Sequence, residues 1–303
     1  MPNDIVLAID LGGTNLRMAA VGADGTIFAN ARTKTPKNNG PAGLLDAIGK
    51  LADECRVALN ADQKVVGFGA GIPANIVNGP ISGLPNFREI EGMNLGSELE
   101  AKFGVPAVLE NDATAAAIGE NWLGASKDVR DSVMITLGTG VGGGIIINNE
   151  PLRGIDGTAG KLGHICVEPD GHPCKCGSRG CIEQYASATA IERMASEAGL
   201  DVTTSFEVYK LAQSGDAVAR EVFQKMGRYL GITLAGLANA LNPEMIVIGG
   251  GAASSWDAFI DSLTAELHHR AFKEPAARVQ IVRGKLEDDA GILGAARSAF
   301  LSL

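Results

Sequence analysis

Short apolar runs that end in glycine turns alternate along this chain with longer stretches of helical period. Ile5–Ile9 reads as a strand; it breaks at Asp10-Leu11-Gly12-Gly13-Thr14-Asn15 and resumes as Leu16–Val21, a hairpin rather than a strand-to-helix loop. Thr26–Ala31 completes a meander. Leu44–Leu59 places Leu44, Leu45, Ile48, Leu51, Ala52 and Cys55 on one face, which predicts a helix with Cys55 in the core. Val65–Ala70 is a strand that opens into Gly71-Ile72-Pro73-Ala74-Asn75, and Gly83-Leu84-Pro85-Asn86-Phe87 is a loop with a polar tip. Leu95–Phe103 is a short helix, Val105–Leu109 a strand broken only by Pro106, and Ala113–Leu123 an alanine-rich helix.

The plan then repeats. After a polar junction, Ser126–Asp131, comes the strand Val133–Leu137, the glycine-rich turn Gly138-Thr139-Gly140-Val141-Gly142-Gly143-Gly144, and a strand over Ile145–Asn148. Glu183–Glu197 opens a helical region, and Ala217–Ala240 is a long apolar helix. Met245–Ile248 is a strand running into Gly249-Gly250-Gly251. Trp256–His269 is a helix whose His268 and His269 suit its C-terminal dipole and receive no chemistry. Val279–Val282 is the last strand and Ala290–Leu303 the closing helix. Strands alternating with helices predict an α/β fold. The repeat predicts two domains: 1–118 with 288–303, and 119–287.

Composition narrows the class. With 303 residues, 46% hydrophobic and 20% charged, the chain can bury a large core as a soluble globular protein. No apolar run reaches the length of a membrane span, and Met1-Pro2-Asn3-Asp4 lacks the basic region of a signal peptide. A net charge of −9 argues against a nucleic-acid partner. Three of the five cysteines fall within Cys174–Cys181, which favours a metal over disulfides in a reducing cytoplasm.

Four places carry candidate chemistry. At Leu109-Glu110-Asn111-Asp112 a strand hands polar side chains to a helix start, the end of an α/β strand that usually faces ligand. Asp112 occupies an N-cap position there; it is either a plain cap or an ionised carboxylate able to take a proton. The turns at Gly12, Gly13 and Thr14 and at Gly138, Thr139 and Gly140 can present backbone N–H groups to an anion, with Asp10 able to hold a hydrated Mg²⁺ beside it. Each is otherwise an ordinary glycine hairpin. Gly249, Gly250 and Gly251 allow a ring or ribose close to the backbone, or form a simple turn. His164 with Cys174, Cys176 and Cys181 makes a Cys₃His set suited to structural Zn²⁺, the alternative being free thiols. Cys166 alternates with Ile165 and Val167 as strand core, and His172 beside Pro173 reads as exposed loop.

In this order, Asp10–Thr14, Glu110-Asn111-Asp112, Leu137–Gly144, Gly163-His164, Cys174–Cys181, Glu183 and Gly249–Gly251 resemble the ROK family of sugar kinases and sugar-responsive repressors over essentially the whole chain. The run Glu183–Ala188 is similar to bacterial ROK glucokinases, and no helix-turn-helix precedes the first strand. The resemblance implies an actin-like (ribonuclease H-like) fold of two α/β domains around a cleft, with Mg-ATP as phosphoryl donor. It implies Asp112 as catalytic base, and Asn111, His164 and Glu183 as sugar ligands, His164 also ligating zinc. It further implies a cytoplasmic ATP-dependent hexose kinase, homodimer or homotetramer, acting on glucose at O6 or on another hexose or N-acetylhexosamine. Acceptor choice would follow the surroundings of Asn75, Asn86 and Lys161.

One position departs from the family's usual Gly-Glu-x-Gly-His, which is here Gly160-Lys161-Leu162-Gly163-His164. Lysine only donates hydrogen bonds, so it cannot replace a carboxylate that accepts from a sugar hydroxyl. Lys161 therefore marks an altered kinase, a different acceptor, or a non-catalytic sugar-binding protein, unless it simply points to solvent.

Overall fold

A computed structural model describes residues 3–37, 39–76, 79–83 and 88–303. The chain forms two compact units, one of residues 1–128, 144–160 and 288–303, the other of 129–143 and 161–287. Among the described residues no helix is long and apolar enough to cross a membrane.

In the first unit, strands β1 (Asp4–Leu11), β2 (Asn15–Gly22) and β3 (Ile27–Lys34) form an antiparallel meander. Helix α1 (Gly40–Val57) packs on β2 and β3. Strands β4 (Lys64–Ile72), β5 (Asn75–Ile76) and β6 (Ile81–Ser82), helix α2 (Leu95–Phe103), strand β7 (Ala107–Asn111) and helix α3 (Asp112–Leu123) follow. The sheet order is β3-β2-β1-β4-β7, with β4 parallel to both β1 and β7. Ile5, Leu7, Ile9 and Leu11 face the same core as Leu44, Ile48, Leu51 and Cys55 of α1, while Val6 and Ala8 are buried on the other side. A strand covered on both faces needs an unbroken apolar run, which is why Ile5–Ile9 shows no polar alternation.

The second sheet has the order β10-β9-β8-β11-β12, from β8 (Ser132–Leu137), β9 (Val141–Ile147), β10 (Glu150–Pro151), β11 (Met245–Gly249) and β12 (Gln280–Arg283). Strand β11 runs parallel to β8 and β12. The expected single helical region after Glu183 is two helices, α4 (Glu183–Ala186) and α5 (Ala188–Glu197), because the Ser187 side chain accepts from the Ala190 N–H and starts a new cap. Helix α6 (Ser205–Gln213) precedes α7 (Ala217–Leu241) and α8 (Trp256–Arg270), which pack on each other. Helix α9 (Lys273–Arg278) precedes β12.

The closing helix α10 (Ala290–Ser302) returns to the first unit and lies on α3. A Cβ on Gly294 would overlap the Ala115 carbonyl oxygen, so the helices meet backbone to backbone. The turn expected over Gly138–Gly144 is shorter: Gly142, Gly143 and Gly144 belong to β9. Gly143 and Gly144 have no room for a side chain, Leu162 crowding the first and Ala117 the second.

Candidate active site

The first unit assembles its polar groups at the C-terminal ends of parallel strands. Registers align Asp10 with Gly71 and Gly71 with Glu110, so the next residues along β1, β4 and β7 are Leu11, Ile72 and Asn111. The β1–β2 turn holds Gly12, Gly13 and Thr14. It is closed by the Gly12 N–H to the Asn15 carbonyl at 2.9 Å. Thr35, just past β3, clamps it from the side: its hydroxyl donates to the Gly12 carbonyl at 2.7 Å and its N–H to the Thr14 carbonyl at 2.9 Å.

Asp10 sits against this turn and against the first turn of α10, where a Cβ on Gly291 would lie 3.7 Å from its carboxyl. Burial, then the charge of Asp112, raises its pKa from 3.8 to about 6; Arg17 opposes the rise and Asp288 adds to it. Arg17 is the register partner of Asp10 on β2. Its guanidinium is held by the Asp288 carbonyl and by the Asp289 carboxylate at 2.6 Å. A carboxylate this reluctant to ionise is suited to a hard cation, which relieves repulsion among oxygen donors.

Asp112 was expected at the N-cap of its helix; the structure gives the cap to Asn111 instead. The Asn111 side-chain oxygen accepts from the Ala113 N–H at 3.2 Å and the Thr114 N–H at 3.4 Å, and its amide donates to the Ala74 carbonyl at 3.3 Å. Asp112 is the first helical residue, its Oδ1 accepting from the Ala113 N–H at 2.8 Å. Glu110 points away from this end. Buried to 4% exposure, it accepts from the Ser298 hydroxyl at 3.1 Å and pairs with Arg153.

In the second unit, the His164, Cys174, Cys176 and Cys181 ligand atoms all lie within 4.8 Å of one another. Cys174 Sγ to His164 Nδ1 and Cys176 Sγ to Cys181 Sγ are both 3.6 Å, close to the edge of about 3.8 Å expected for tetrahedral zinc with Zn–S of about 2.3 Å. The residues fit the metal. Burial pushes the Cys181 thiol up to about 12, while the Ser178 backbone N–H lowers Cys176. His172 is no part of this set: it is half-buried, with Nε2 against Arg193. Cys166, expected in strand core, is exposed; it bridges Cys181 through the backbone with its side chain outward.

Glu183, at the start of α4, accepts from the Val141 N–H at 3.1 Å and lies 4.0 Å from Cys174 Sγ. The turn Gly138-Thr139-Gly140 is thereby next to Glu183. Gly250, at φ 87°, packs on Leu137, which places the triplet Gly249–Gly251 at the foot of the same hairpin. A small cavity opens beside that triplet, lined among others by Gly251, Ser254, Phe206 and Tyr209. Lys161 is exposed and precedes the short turn Leu162–His164. Asn86 lies outside the described residues. Arg17, Thr35 and Thr189 carry no motif. Hairpin pairing would have found Arg17, which must face Asp10 once the β1–β2 turn is set.

Two mixed α/β sheets, each with a glycine-turn hairpin, define a protein of the actin-like, ribonuclease H-like class. Within that class the chain belongs to the ROK family, whose model matches residues 6–300. It is 37% identical over 316 residues to a glucokinase of Halalkalibacterium halodurans, covering 95% of this chain and 92% of the relative. Its structure is similar to that of a ROK family glucokinase from Streptomyces griseus in complex with glucose and AMPPNP (32% identity, TM-score 0.83, 98% of this chain and 99% of that one). It is also similar to a ROK hexokinase from Thermus thermophilus (32% identity, TM-score 0.86, 98% of each chain).

Proposed function

We propose that the chain is an ATP-dependent hexose kinase that transfers the γ-phosphoryl group to a sugar hydroxyl, glucose O6 first. The observation that carries this is Asp112. It is the first residue of a helix that Asn111 caps, and close enough to the half-buried Asp10 to raise its pKa.

Asp112 takes the proton of the attacking hydroxyl, a role worth about 10²–10⁴-fold in rate. Asn111, fixed by its cap and by Ala74, orients the acceptor with its second amide N–H. Glu183 and the Nε2 side of His164 bind further hydroxyls; the Nδ1 side faces Cys174. The turns at Gly12–Thr14 and Gly138–Gly140 take the phosphates through backbone N–H groups, and Gly249–Gly251 takes the nucleoside. Mg²⁺ held at Asp10 would neutralise phosphate charge, and zinc held by His164, Cys174, Cys176 and Cys181 would pin the loop that precedes Glu183.

Coupled detection of ADP over a panel of glucose, mannose, fructose, allose and N-acetylhexosamines tests this reading. Glucose-dependent ADP release that Asp112→Asn abolishes supports it; unimpaired turnover in that variant refutes it. Lys161 favours a second reading, a sugar-binding protein without turnover. That reading predicts thermal stabilisation by sugar with no ADP, and a gain in rate for Lys161→Glu.

A further inference from the structure

The segment that follows the cysteine cluster is fastened to the second glycine turn at three points. The Glu183 carboxylate accepts from the Val141 N–H at 3.1 Å. The Ala188 N–H donates to the Gly138 carbonyl at 2.8 Å. The Thr189 hydroxyl donates to the Thr139 carbonyl at 3.0 Å. Gly140 is part of the fit, since a Cβ there would stand 2.5 Å from the Glu183 carboxylate. The other end of the segment hangs on Cys181: the Gln184 N–H donates to the Cys181 carbonyl at 2.9 Å, and the Ile182 N–H to the Ile165 carbonyl at 2.9 Å. Every residue of the turn Gly138–Gly140 and the first of β9 is thus tied to, or packed on, a seven-residue stretch that begins two positions after Cys181.

We propose that residues 183–189 are a latch that holds the second glycine turn in its anion-binding shape, with Thr189 a positioning residue for the nucleotide. The inference rests on the reading that this turn takes the phosphates of ATP. A glycine turn has little conformational preference of its own, so its N–H groups converge on an anion only if its carbonyls are fixed elsewhere. The Ala188 and Thr189 bonds occupy the Gly138 and Thr139 carbonyls. The Gly138 N–H closes the turn on the Gly140 carbonyl at 2.9 Å, which leaves the Thr139 and Gly140 N–H groups as the donors the turn presents. The four-ligand cluster sets where the latch begins, so its reach extends to the nucleotide and not only to the sugar ligand Glu183. Thermodynamic reciprocity then requires that nucleotide binding and metal retention strengthen each other.

Two measurements test the latch. The first is isothermal titration of full-length protein with ADP, alongside steady-state kinetics. Loss of one neutral hydrogen bond in Thr189→Val weakens nucleotide affinity by about three- to tenfold. The KM for ATP rises to match, while kcat and the KM for sugar at saturating ATP stay near wild type. Thr189→Ser, which keeps the hydroxyl, restores the affinity. The second is amide hydrogen exchange after zinc removal by a strong chelator, a readout independent of turnover. Exchange rises at residues 138–141 and 188–189 before it rises in α7. Unchanged ADP affinity in Thr189→Val, with wild type binding ADP, overturns the latch alone, as does unchanged exchange at 138–141 in metal-free protein. Wild type that fails to bind ADP at all overturns the nucleotide role together with the kinase reading, even where the exchange result stands.

Discussion

Replacing Asp10 by asparagine should stabilise the protein and abolish its chemistry. The folded protein holds this carboxyl at about 6 against 3.8 for an unperturbed group, through burial and the nearby charges of Asp112 and Asp288, only partly offset by Arg17. A rise of that size corresponds to about 3 kcal/mol of preference for the protonated form. The sign follows from proton counts. Between pH 4 and 6 the folded state binds the proton that the unfolded state has lost. Stability from this group is therefore fully present below pH 3.8 and is lost as pH climbs through about 6. At pH 8 the wild type folds with an ionised, crowded carboxylate and Asp10→Asn does not. The variant should gain up to about 3 kcal/mol there, or about 6–12 °C in the unfolding temperature of a unit of this size. The gain should vanish near pH 4.

Urea and thermal unfolding in magnesium-free, nucleotide-free buffer from pH 4 to pH 8 measures this directly. The difference between variant and wild type should open across pH 4–6. Mg-ATP should shrink it, since a cation bound at Asp10 relieves the same repulsion in the wild type. A variant no more stable than wild type at pH 8, or a difference independent of pH, would refute the electrostatic account of this site.

Other outcomes follow from the same geometry. Asp112→Asn should lower kcat about 10²–10⁴-fold while leaving ADP affinity within about twofold, measured by turnover and titration. Arg153→Met leaves the buried Glu110 carboxylate with Ser298 alone, and should cost up to about 3 kcal/mol because Arg153 itself is half-exposed; Ser298→Ala should cost about 1 kcal/mol, both read by urea unfolding. Gly294→Ala drives a methyl into the Ala115 carbonyl and should cost about 3 kcal/mol or more, or prevent soluble expression. Elemental analysis should find about one zinc per chain, lost with any of Cys174→Ser, Cys176→Ser or Cys181→Ser.

Which features were legible in the sequence depended on how local their cause is. Strand, glycine turn, strand is a local pattern, and both hairpins lie where apolar runs and glycines put them. The cysteine cluster was legible because its three thiolates share one short loop and need only His164 from outside it. Helix α6 was missed although Thr204 and Glu207 form a capping box, a signal that outranks its weak apolar period. Helix α9 spans only Lys273–Arg278, too short for any period to register. The glycines of β9 were misread for a physical reason: glycine marks either a turn or a tight approach. Only the folded neighbours, Leu162 and Ala117, tell which. The cap on α3 was misplaced by one residue because Asn and Asp cap about equally well, and the choice fell to Asn111, whose amide also reaches the Ala74 carbonyl.

The two glycine turns share a plan but not a support. The first is held by Thr35 from the end of β3 and is backed by Arg17, which the 288–289 carbonyl and carboxylate clasp. The second is held by Ala188 and Thr189 behind a cysteine cluster. A turn rich in glycine is too mobile to bind phosphate well unless something distant fixes it. In the first unit that something arrives last in the chain. Helix α10 docks through Gly294 against α3 and brings Gly291 over Asp10, so the final helix of the chain partly covers the carboxylate that the first strand supplies. The apolar burial of Ile292, Leu293, Ala295 and Ala296 offsets the cost of hiding that charge. Removing α10 should therefore both loosen the first turn and return Asp10 toward an ordinary carboxyl, a linked change that no lesion confined to the Gly12–Thr14 turn can reproduce.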